Sequence, residues 1–306
     1  MNANTFFLFL ETYIMDHLPF LKKSSKHTVR AYNTVLQQYL GYLKDVANVP
    51  EDELAVEAFV ANIQPYLDWV EKERNCSIAT RNNRLAVLRG FLRYVAGRDP
   101  ASRPLVEYVN RIQDKKLPSA KTASYMTREA CESIIKAATP EYGKGIRDKA
   151  MLTFLYETAM WVQELASLKL EDANVEEGYV QVMAKGGKKR RITLTPRAQD
   201  CLMRYIYAYH DGEKEAPLFY HAERGWKKGL TTDRIRKIVQ AYATKAGKLN
   251  PDVPKKVHPH LFRSSKAVHL LEDGMTLEDL AEFLGHESVA STKIYAEAVE
   301  EEKKAQ

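Results

Sequence analysis

The chain has 306 residues, 45% of them apolar and 28% charged, which is typical of a globular protein with two domains. The formal net charge of +6 is compatible with a nucleic-acid partner but does not require one. The apolar stretch 6–10 is too short for a signal-peptide core or a membrane span, so we expect a cytoplasmic protein without a membrane partner.

The cysteines carry no pattern of a metal site or of disulfides. Cys76, Cys131 and Cys201 lie far apart in the sequence, and no pair has the Cys-x-x-Cys spacing of a zinc site. We therefore expect three small side chains that are buried or half-buried. The sequence holds no evident ligand set for a metal, and we expect neither a metal nor a cofactor.

The spacing of apolar residues predicts an all-helical domain over residues 1–112. A cap residue in front of a helix accepts one of its unpaired N–H groups, so Ser and Thr mark the predicted starts. The predicted elements are two helices over 5–46 with Thr5 as the first cap and Ser24 and Ser25 before the second, a turn at 50–53 that leads into a third helix through about 72, and a fourth helix over 78–95 capped by Thr80.

Three arginines of the fourth helix are candidates for DNA contacts. Arg81, Arg84 and Arg89 lie off the predicted apolar face, and no acidic residue is interleaved with them. A run of charges is usually a solvated face, but the lack of acids favours a surface that faces DNA.

Residues 111–124 lose the helical periodicity. They are polar, basic and interrupted by a proline, which is the composition of a linker. We therefore predict a linker over 113–124 between the domain 1–112 and a second domain over 125–306.

The second domain is predicted to be mostly helical with a small antiparallel sheet. The fold class is thus mainly α with a small antiparallel β-sheet. Its predicted elements are a helix after Thr127, a long apolar helix from Asp148 to Leu168 interrupted near 158–163, strands over 179–183 and 191–194, a helix from Pro196, and further helices from Thr231 with breaks around 249–259.

Two basic clusters of this domain are predicted to bind DNA phosphates. Between Arg224 and Lys256 there are ten Lys or Arg against two acids, and five of the seven residues over 185–191 are basic. Such contacts make binding strongly dependent on salt. The candidate DNA-binding residues here are Lys188, Lys189, Arg190, Lys227 and Lys228.

Four residues near the C-terminus fit the chemistry of a phosphodiester. His260 and Arg263 are three apart on a predicted helix and so lie on one side of it, where the planar arginine matches phosphate oxygens. His286 follows Leu284 and Gly285, and Tyr295 comes nine residues later. Each alone is a weak signal, because His286 fits a polar cap and a tyrosine usually serves packing. Together they are a phosphate grip and a nucleophile for cutting DNA.

In order and spacing, these motifs resemble the tyrosine recombinase family, the phage-integrase and Xer-like enzymes of DNA strand exchange. The resemblance covers nearly the whole chain. It implies a helical N-terminal core-binding domain and an α+β catalytic domain. The segments that carry it are 24–43 and 77–95 in the first domain and 155–175, 183–196, 258–274 and 277–297 in the second.

The resemblance implies a role for each site residue. Tyr295 attacks the scissile phosphate and forms a 3′-phosphotyrosyl link, and Lys185 protonates the departing 5′-oxygen. Arg263 grips the non-bridging oxygens, and His286 donates a hydrogen bond to the phosphate. His260 positions the nucleophile or phosphate and exchanges a proton with it. No metal is required.

One departure from the family pattern bears on activity. The family's Thr-Gly-x-Arg-x-x-Glu-Leu stretch is replaced here by 158–165, with Ala159 for the glycine and Trp161 at the position of the first catalytic arginine. An alternative is that Trp161 is a core residue and the register is off by one turn, although Glu164 and Leu165 anchor the alignment. A nearby arginine such as Arg190 or Arg191 is a possible partial substitute, but the sequence supports neither in particular.

We therefore expect a site-specific recombinase or integrase whose cleavage is impaired by Trp161. The alternative is a DNA-binding protein deficient in cleavage, whether by natural loss or by engineering. A topoisomerase-like enzyme with the same tyrosine chemistry is a weaker third hypothesis. Sequence-dependent binding would separate a recombinase from that third hypothesis.

The resemblance also implies an assembly. Two domains are expected to clamp the double-stranded DNA target from opposite faces. Four subunits are expected to form a synapse, with the C-terminal segment 297–306 docking on a neighbour. A frayed terminus is the alternative for that segment.

Overall fold

The computed structural model describes residues 2–22, 25–117, 122–139, 144–183, 189–221 and 228–305. The chain forms two compact units, Met1–Ser119 and Ala120–Gln306. Within the described ranges, no helix is long and apolar enough to cross a membrane. The same ranges contain no group of three or more His, Cys, Asp or Glu that could hold a metal ion.

The described part of the first unit is helical. A π-helical segment, Tyr13–Leu21, follows the first helix, and short 3-10 turns lie at Glu51–Glu53 and Pro100–Ser102. Its α-helices are α1 (Ala3–Thr12), α2 (Lys26–Asp45), α3 (Val56–Ala61), α4 (Ile63–Lys72), α5 (Ile78–Ala96) and α6 (Arg103–Arg111). The predicted third helix is therefore two helices that meet at Asn62.

Two predicted caps were wrong by three residues. Asn2 caps α1, because its Oδ1 accepts the backbone N–H of Thr5 at 2.9 Å. Ser77 caps α5 in the same way and accepts the N–H of Thr80 at 3.2 Å. A cap accepts from the third residue of its helix, so each threonine occupies the donor position rather than the cap.

Aromatic rings form the centre of the first unit's core. The rings of Phe6, Phe59 and Phe91 lie 5.3–5.7 Å apart and bring α1, α3 and α5 together. The hydroxyl of Tyr39 on α2 donates to the carbonyl of Phe59 at 2.5 Å. The apolar spacing seen in the sequence thus produces one buried helical core.

The arginines of α5 have intramolecular partners. Arg81 is 2% exposed, and its Nη1 donates to the Gln113 carbonyl at 3.0 Å, so it belongs to the buried residues of α5 rather than to a solvated face, and its DNA contact stays a prediction. Arg84 donates to the Tyr66 hydroxyl at 3.2 Å. Arg89 donates to Asp114 at 3.1 Å and to the carbonyl of Ile112. These arginines bind the segment after α6 and the core of their own unit.

The second unit combines helices with a small sheet. The strands β1 (Ala173–Asn174), β2 (Tyr179–Met183) and β3 (Lys189–Thr193) pair antiparallel in that order, with Tyr179 opposite Thr193. Its α-helices are α7 (Arg128–Ala137), α8 (Lys144–Thr158), α9 (Val162–Ser167), α10 (Pro196–Tyr209), α11 (Thr232–Ala246), α12 (Pro259–Glu272), α13 (Leu277–Leu284) and α14 (Lys293–Ala305). The mainly α fold with a small antiparallel sheet is confirmed.

Helix α8 is the centre of this unit. Eleven of its 15 residues are buried, and α7, α10 and α12 pack against it, which explains the largely apolar run over 150–156. The predicted interruption of the long helix is confirmed, because α8 ends at Thr158 and α9 begins at Val162. As predicted, the cysteines are buried or half-buried.

The C-terminal helix lies on its own unit. Tyr295, Ala298 and Val299 of α14 are buried in a small apolar cluster with residues of α12 and α13. Near its end, Glu301 accepts a hydrogen bond from the Thr122 hydroxyl at 2.7 Å. The segment predicted to dock on a neighbour is therefore helical through Ala305 and is packed within this chain.

Candidate active site

Arg263 is the buried centre of the site. It lies in the second turn of α12 and is 1% exposed. Its Nη1 donates to the Ala159 carbonyl at 2.6 Å, and its Nη2 donates to the Leu284 carbonyl at 2.8 Å. Its Nε has no hydrogen-bond partner among the described residues. Arg263 thus joins the α8–α9 break to the end of α13 and keeps donor capacity for a further ligand.

The carbonyl that holds Nη1 belongs to a residue with an unusual backbone. Ala159 has a φ of +47°, the left-handed region that favours glycine. This conformation turns the chain from α8 toward α9 and directs its carbonyl at Arg263. Position 159 is where the resembling family has glycine, and the turn gives a physical reason for that preference.

His286 follows a second left-handed residue, Gly285, which ends α13 with a φ of +68°. Its Nε2 lies 3.1 Å from Nη2 of Arg263, and its Nδ1 lies 2.9 Å from the Thr292 hydroxyl. Because a guanidinium only donates, Nε2 accepts and the proton of the neutral ring is on Nδ1. His286 is therefore a hydrogen-bond acceptor toward Arg263 in this structure.

Trp161 covers the centre of the site. It precedes α9, and its backbone N–H donates to the Glu164 carboxylate at 2.8 Å. Its indole lies 4.5 Å from the guanidinium carbon of Arg263 and 5.2 Å from the ring of His260, and it is 40% exposed. Trp161 is therefore not a core residue, and its correspondence to the catalytic arginine position stays a prediction.

Tyr295 and His260 line one cavity of about 610 Å³. The cavity is bordered by α12, by α14 and by Trp161. Tyr295 is 5% exposed, and its ring is nearly parallel to that of His286 with centroids 6.5 Å apart. His260 is exposed at the start of α12. Tyr295, His260 and His286 thus line one concave surface, and Arg263 lies buried behind it in hydrogen-bond contact with His286.

Burial and mutual repulsion lower the basicity of the site. Burial lowers the pKa of Arg263 to about 10, while Tyr295 and Glu164 act in the opposite direction. Burial and then Arg263 lower the pKa of His260. Burial, followed by Arg263 and Arg190, lowers the pKa of His286. Both histidines are therefore neutral at pH 7, while Arg263 remains charged.

A second arginine lies on the other side of the α13 end. Arg190 of β3 donates to both oxygens of Glu164 at 3.1 Å and to the Phe283 carbonyl at 2.8 Å. Its guanidinium packs on Gly285, where a Cβ would come within 3.0 Å of it. With Trp161 and His286 it borders a neighbouring cavity of about 550 Å³. Arg190 is thus paired within this unit, and its contact with DNA stays a prediction.

The structure brings together five of the six predicted catalytic residues: Trp161, His260, Arg263, His286 and Tyr295. Lys185 lies outside the described residues, as do Lys188 and Lys227. Lys189 and Lys228 are exposed. Sequence reasoning missed the ion pair of Arg190 with Glu164 and the contact of Thr292 with His286, because both depend on tertiary packing.

This arrangement suits a phosphodiester. The imidazoles of His260 and His286 line the cavity that Tyr295 borders, and the buried Arg263 contacts His286. A preorganised cation beside such a cavity stabilises the charge that develops when a phosphorus centre is attacked.

The sequence is similar to known recombinases over most of its length. Residues 124–302 match the phage integrase family, and residues 11–98 match the phage integrase N-terminal SAM-like domain. A protein named tyrosine recombinase XerD from Oceanobacillus iheyensis is 31% identical, covering 94% of this chain and 93% of its own. A protein named tyrosine recombinase XerC from Thermodesulfovibrio yellowstonii is 28% identical, covering 94% and 91%.

Solved structures share the fold. The XerH site-specific recombinase bound to a palindromic difH substrate has a TM-score of 0.68 at 18% identity, covering 93% of this chain and 80% of that one. The Tn1549 transposon integrase in complex with circular intermediate DNA has a TM-score of 0.67 at 16% identity, covering 96% and 94%. At these identities the likeness concerns the fold.

Proposed function

The chain belongs to the phage integrase family, and from that premise we propose that it is a site-specific DNA recombinase that cuts and rejoins DNA through a 3′-phosphotyrosyl intermediate. One observation carries the proposal: His260, His286 and Tyr295 line a single concave surface, and the buried Arg263 is hydrogen-bonded to His286 beside it. Relatives with 28–31% identity are named tyrosine recombinases. Two proteins of the same fold are described bound to DNA.

The proposed reaction exchanges one ester for another. The hydroxyl oxygen of Tyr295 attacks the scissile phosphorus, and the bond from phosphorus to the 5′-oxygen breaks. The tyrosine proton passes to His260, which is neutral at pH 7 and can accept it. Lys185 protonates the departing 5′-oxygen. The new link conserves the energy of a phosphodiester, so the reverse attack by a 5′-hydroxyl rejoins DNA without ATP.

Charge stabilisation is assigned to Arg263 and His286. The phosphorane gains negative charge relative to the bound diester, so donors fixed beforehand lower the barrier. Arg263 is fixed by two backbone carbonyls and retains a free Nε–H within the described structure. His286 lies beside it and completes the grip on the non-bridging oxygens.

Trp161 weakens this centre. An indole offers one neutral N–H in place of a charged fork. Losing one donor to the transition state costs on the order of 3 kcal/mol, or roughly a hundredfold in rate. Of the two candidate substitutes, Arg190 borders the cavity beside Trp161, but its guanidinium is already bound to both oxygens of Glu164. We therefore propose an impaired recombinase.

A second candidate is a DNA-binding protein that does not cleave. The observation in its favour is that the indole covers Arg263 at 4.5 Å while Arg263 donates to Ala159, Leu284 and His286. In that case the site would bind a phosphate weakly and leave Tyr295 without a properly held target. DNA binding through the basic surfaces would persist in both cases.

The double-stranded DNA target is proposed to be clamped by the two domains, with the exposed Lys189 and Lys228 at its backbone. A tetrameric synapse is proposed through α14. Because α14 packs on its own unit here, docking on a neighbour requires an exchange of this helix between identical subunits. The Thr122 contact of Glu301 would then be replaced by the same contact across the interface.

The test is a covalent adduct on a nicked suicide duplex that carries the target site. After cleavage, the short fragment that carries the free 5′-hydroxyl diffuses away and cannot rejoin the strand. The protein–DNA link is thereby trapped and runs as a shifted band on a denaturing gel. Peptide mapping should place the link on Tyr295, and Tyr295→Phe should bind the duplex without forming the adduct. A link to another residue, or an adduct with Tyr295→Phe, contradicts the proposed nucleophile.

A further inference from the structure

We infer that Thr292 is a positioning residue that lets His286 exchange its proton between the two ring nitrogens when a DNA phosphate enters the site. The inference rests on the proposed function, since it concerns how the same site changes from its free to its bound state. Two hydrogen bonds of His286 and the number of N–H donors that Arg263 has free or engaged support this role.

In the free site, every polar atom of the His286 ring is engaged. Nε2 accepts from Nη2 of Arg263 at 3.1 Å, and Nδ1 donates to the Thr292 hydroxyl at 2.9 Å. Thr292 is fully buried, so its hydroxyl is a fixed neighbour rather than a solvated one. The Arg263 bond sets one tautomer, with the proton on Nδ1.

A phosphate oxygen requires the opposite arrangement. The two hydrogens on Nη2 of Arg263 are taken by the Leu284 carbonyl and by His286. When a phosphate oxygen accepts the second of these hydrogens, Nε2 of His286 faces an anionic acceptor with its lone pair. The contact between the lone pair of Nε2 and the phosphate oxygen is repulsive. If Nε2 carries a proton instead, the same contact is a hydrogen bond.

A threonine hydroxyl permits this change without a change of charge. One proton leaves Nδ1 and one binds Nε2 through the water of the open cavity, so the ring stays neutral. The hydroxyl of Thr292 then rotates and donates to Nδ1, where before it accepted. A side chain without a hydroxyl would leave Nδ1 unpaired in the bound state, which costs free energy in a buried site.

The alternative is an imidazolium, which donates from both nitrogens. The groups that face the ring oppose it: Arg263 and His260 from α12 and Arg190 from β3 all lower the pKa of His286, after burial. The Tyr295 ring from α14 lies parallel to it, and Glu287 follows it as an exposed neighbour in the chain. The neutral route through Thr292 is thus the favoured one.

Thr292 also links His286 to the nucleophile. It ends the 3-10 turn Val289–Ser291, and its carbonyl accepts the backbone N–H of Tyr295 at 3.0 Å. One residue therefore pairs with Nδ1 of His286 in either tautomer through its side chain and fixes the position of Tyr295 through its backbone. A change at Thr292 that leaves the backbone intact isolates the first of these effects.

The test compares Thr292→Val, which keeps the shape, with Thr292→Ser, which keeps the hydroxyl. Single-turnover adduct formation is measured from pH 5.5 to 8.5 in the full chain, and in the Trp161→Arg background if the rate is otherwise too low. Thr292→Val leaves Nδ1 of His286 unpaired in the bound state, so its rate should be roughly tenfold below that of Thr292→Ser across this pH range. The ratio of the two rates cancels the titration of other groups.

Equal rates for Thr292→Val and Thr292→Ser would overturn the inference and leave Thr292 a packing residue. Selective labelling of the eight histidines with ¹⁵N gives a second readout, because protonated and bare ring nitrogens differ in chemical shift. We expect Nδ1–H at His286 in the free chain and Nε2–H in the duplex complex. Nδ1–H in both states would also overturn the inference.

The two proposals can fail separately. No adduct from any variant, together with the expected change of tautomer on the duplex, would reject strand cleavage and retain the role of Thr292. Adduct formation at equal rates by Thr292→Val and Thr292→Ser would retain strand cleavage and reject the role of Thr292. A chain that binds no DNA would overturn both.

Discussion

The indole of Trp161 lies over the guanidinium of Arg263 at 4.5 Å. A cation–π contact of this kind is worth about 0.5–2 kcal/mol, depending on its desolvation. An arginine at position 161 would instead place a second positive charge beside Arg263, which is favourable only with a phosphate between them. The tryptophan therefore favours the DNA-free site, whereas an arginine favours the DNA-bound one.

Salt dependence tests the proposed DNA surface. Lys189 is exposed at the start of β3, and its replacement by alanine should remove one phosphate contact. The slope of log affinity against log salt should then fall by about 1. Fluorescence anisotropy with a labelled duplex measures this slope. Lys136→Ala, an exposed charge on α7 outside the predicted surface, should leave it unchanged; an unchanged slope for Lys189→Ala would contradict the placement.

The pH dependence of cleavage tests the role of His260. Its pKa is lowered below 6.5 by burial and by Arg263, so it is neutral above that pH and accepts the tyrosine proton there. The rate of adduct formation should be flat on the acidic side down to pH 6.5 and should fall below it. His260→Gln should lose about 10²–10⁴-fold in rate and lose this acidic limb. If the rate of adduct formation by His260→Gln still falls below pH 6.5, a group other than His260 causes the fall, which contradicts its assigned role.

His269 should make the second unit sensitive to acid. It is 2% exposed, and its neutral ring accepts from the Tyr156 hydroxyl at 2.8 Å and donates to the Met126 carbonyl at 3.0 Å. Burial and then Arg128 lower its pKa to about 4. Because the unfolded chain takes up this proton near pH 6.5, stability is lost as pH falls from 6.5 toward 4, by about 3 kcal/mol in total.

Urea unfolding at pH 7.5 and at pH 4.5 measures this loss. His269→Gln has no proton to bind, so the difference in its free energy of unfolding between the two pH values should be smaller than that of the parent chain. An equal difference in both proteins would assign the acid sensitivity to other groups.

The sequence predicts those features that local spacing determines. The helical core of the first unit, the interruption after Thr158, strand β2 and the meeting of His260, Arg263, His286 and Tyr295 all follow from periodicity or from motif order. The exact helix starts could not be predicted, because Ser, Thr and Asn near a helix end all fit the cap pattern.

Features that depend on distant segments were beyond the sequence. Arg81 is buried because the stretch around Gln113 folds back to accept its hydrogen bonds. The pairing of Arg190 with Glu164 joins β3 to α9, and no spacing rule connects them. The left-handed backbone at Ala159 became evident only from the turn that places its carbonyl on Arg263.

The most direct test of the account is the rate of adduct formation by the chain as it stands and by Trp161→Arg, on the same nicked duplex under single-turnover conditions. Trp161→Phe serves as the matched control, since it keeps an aromatic ring over Arg263. We predict a gain of about a hundredfold or more for Trp161→Arg and no comparable gain for Trp161→Phe. Equal rates for the parent chain and Trp161→Arg would contradict the claim that Trp161 limits an otherwise complete recombinase site.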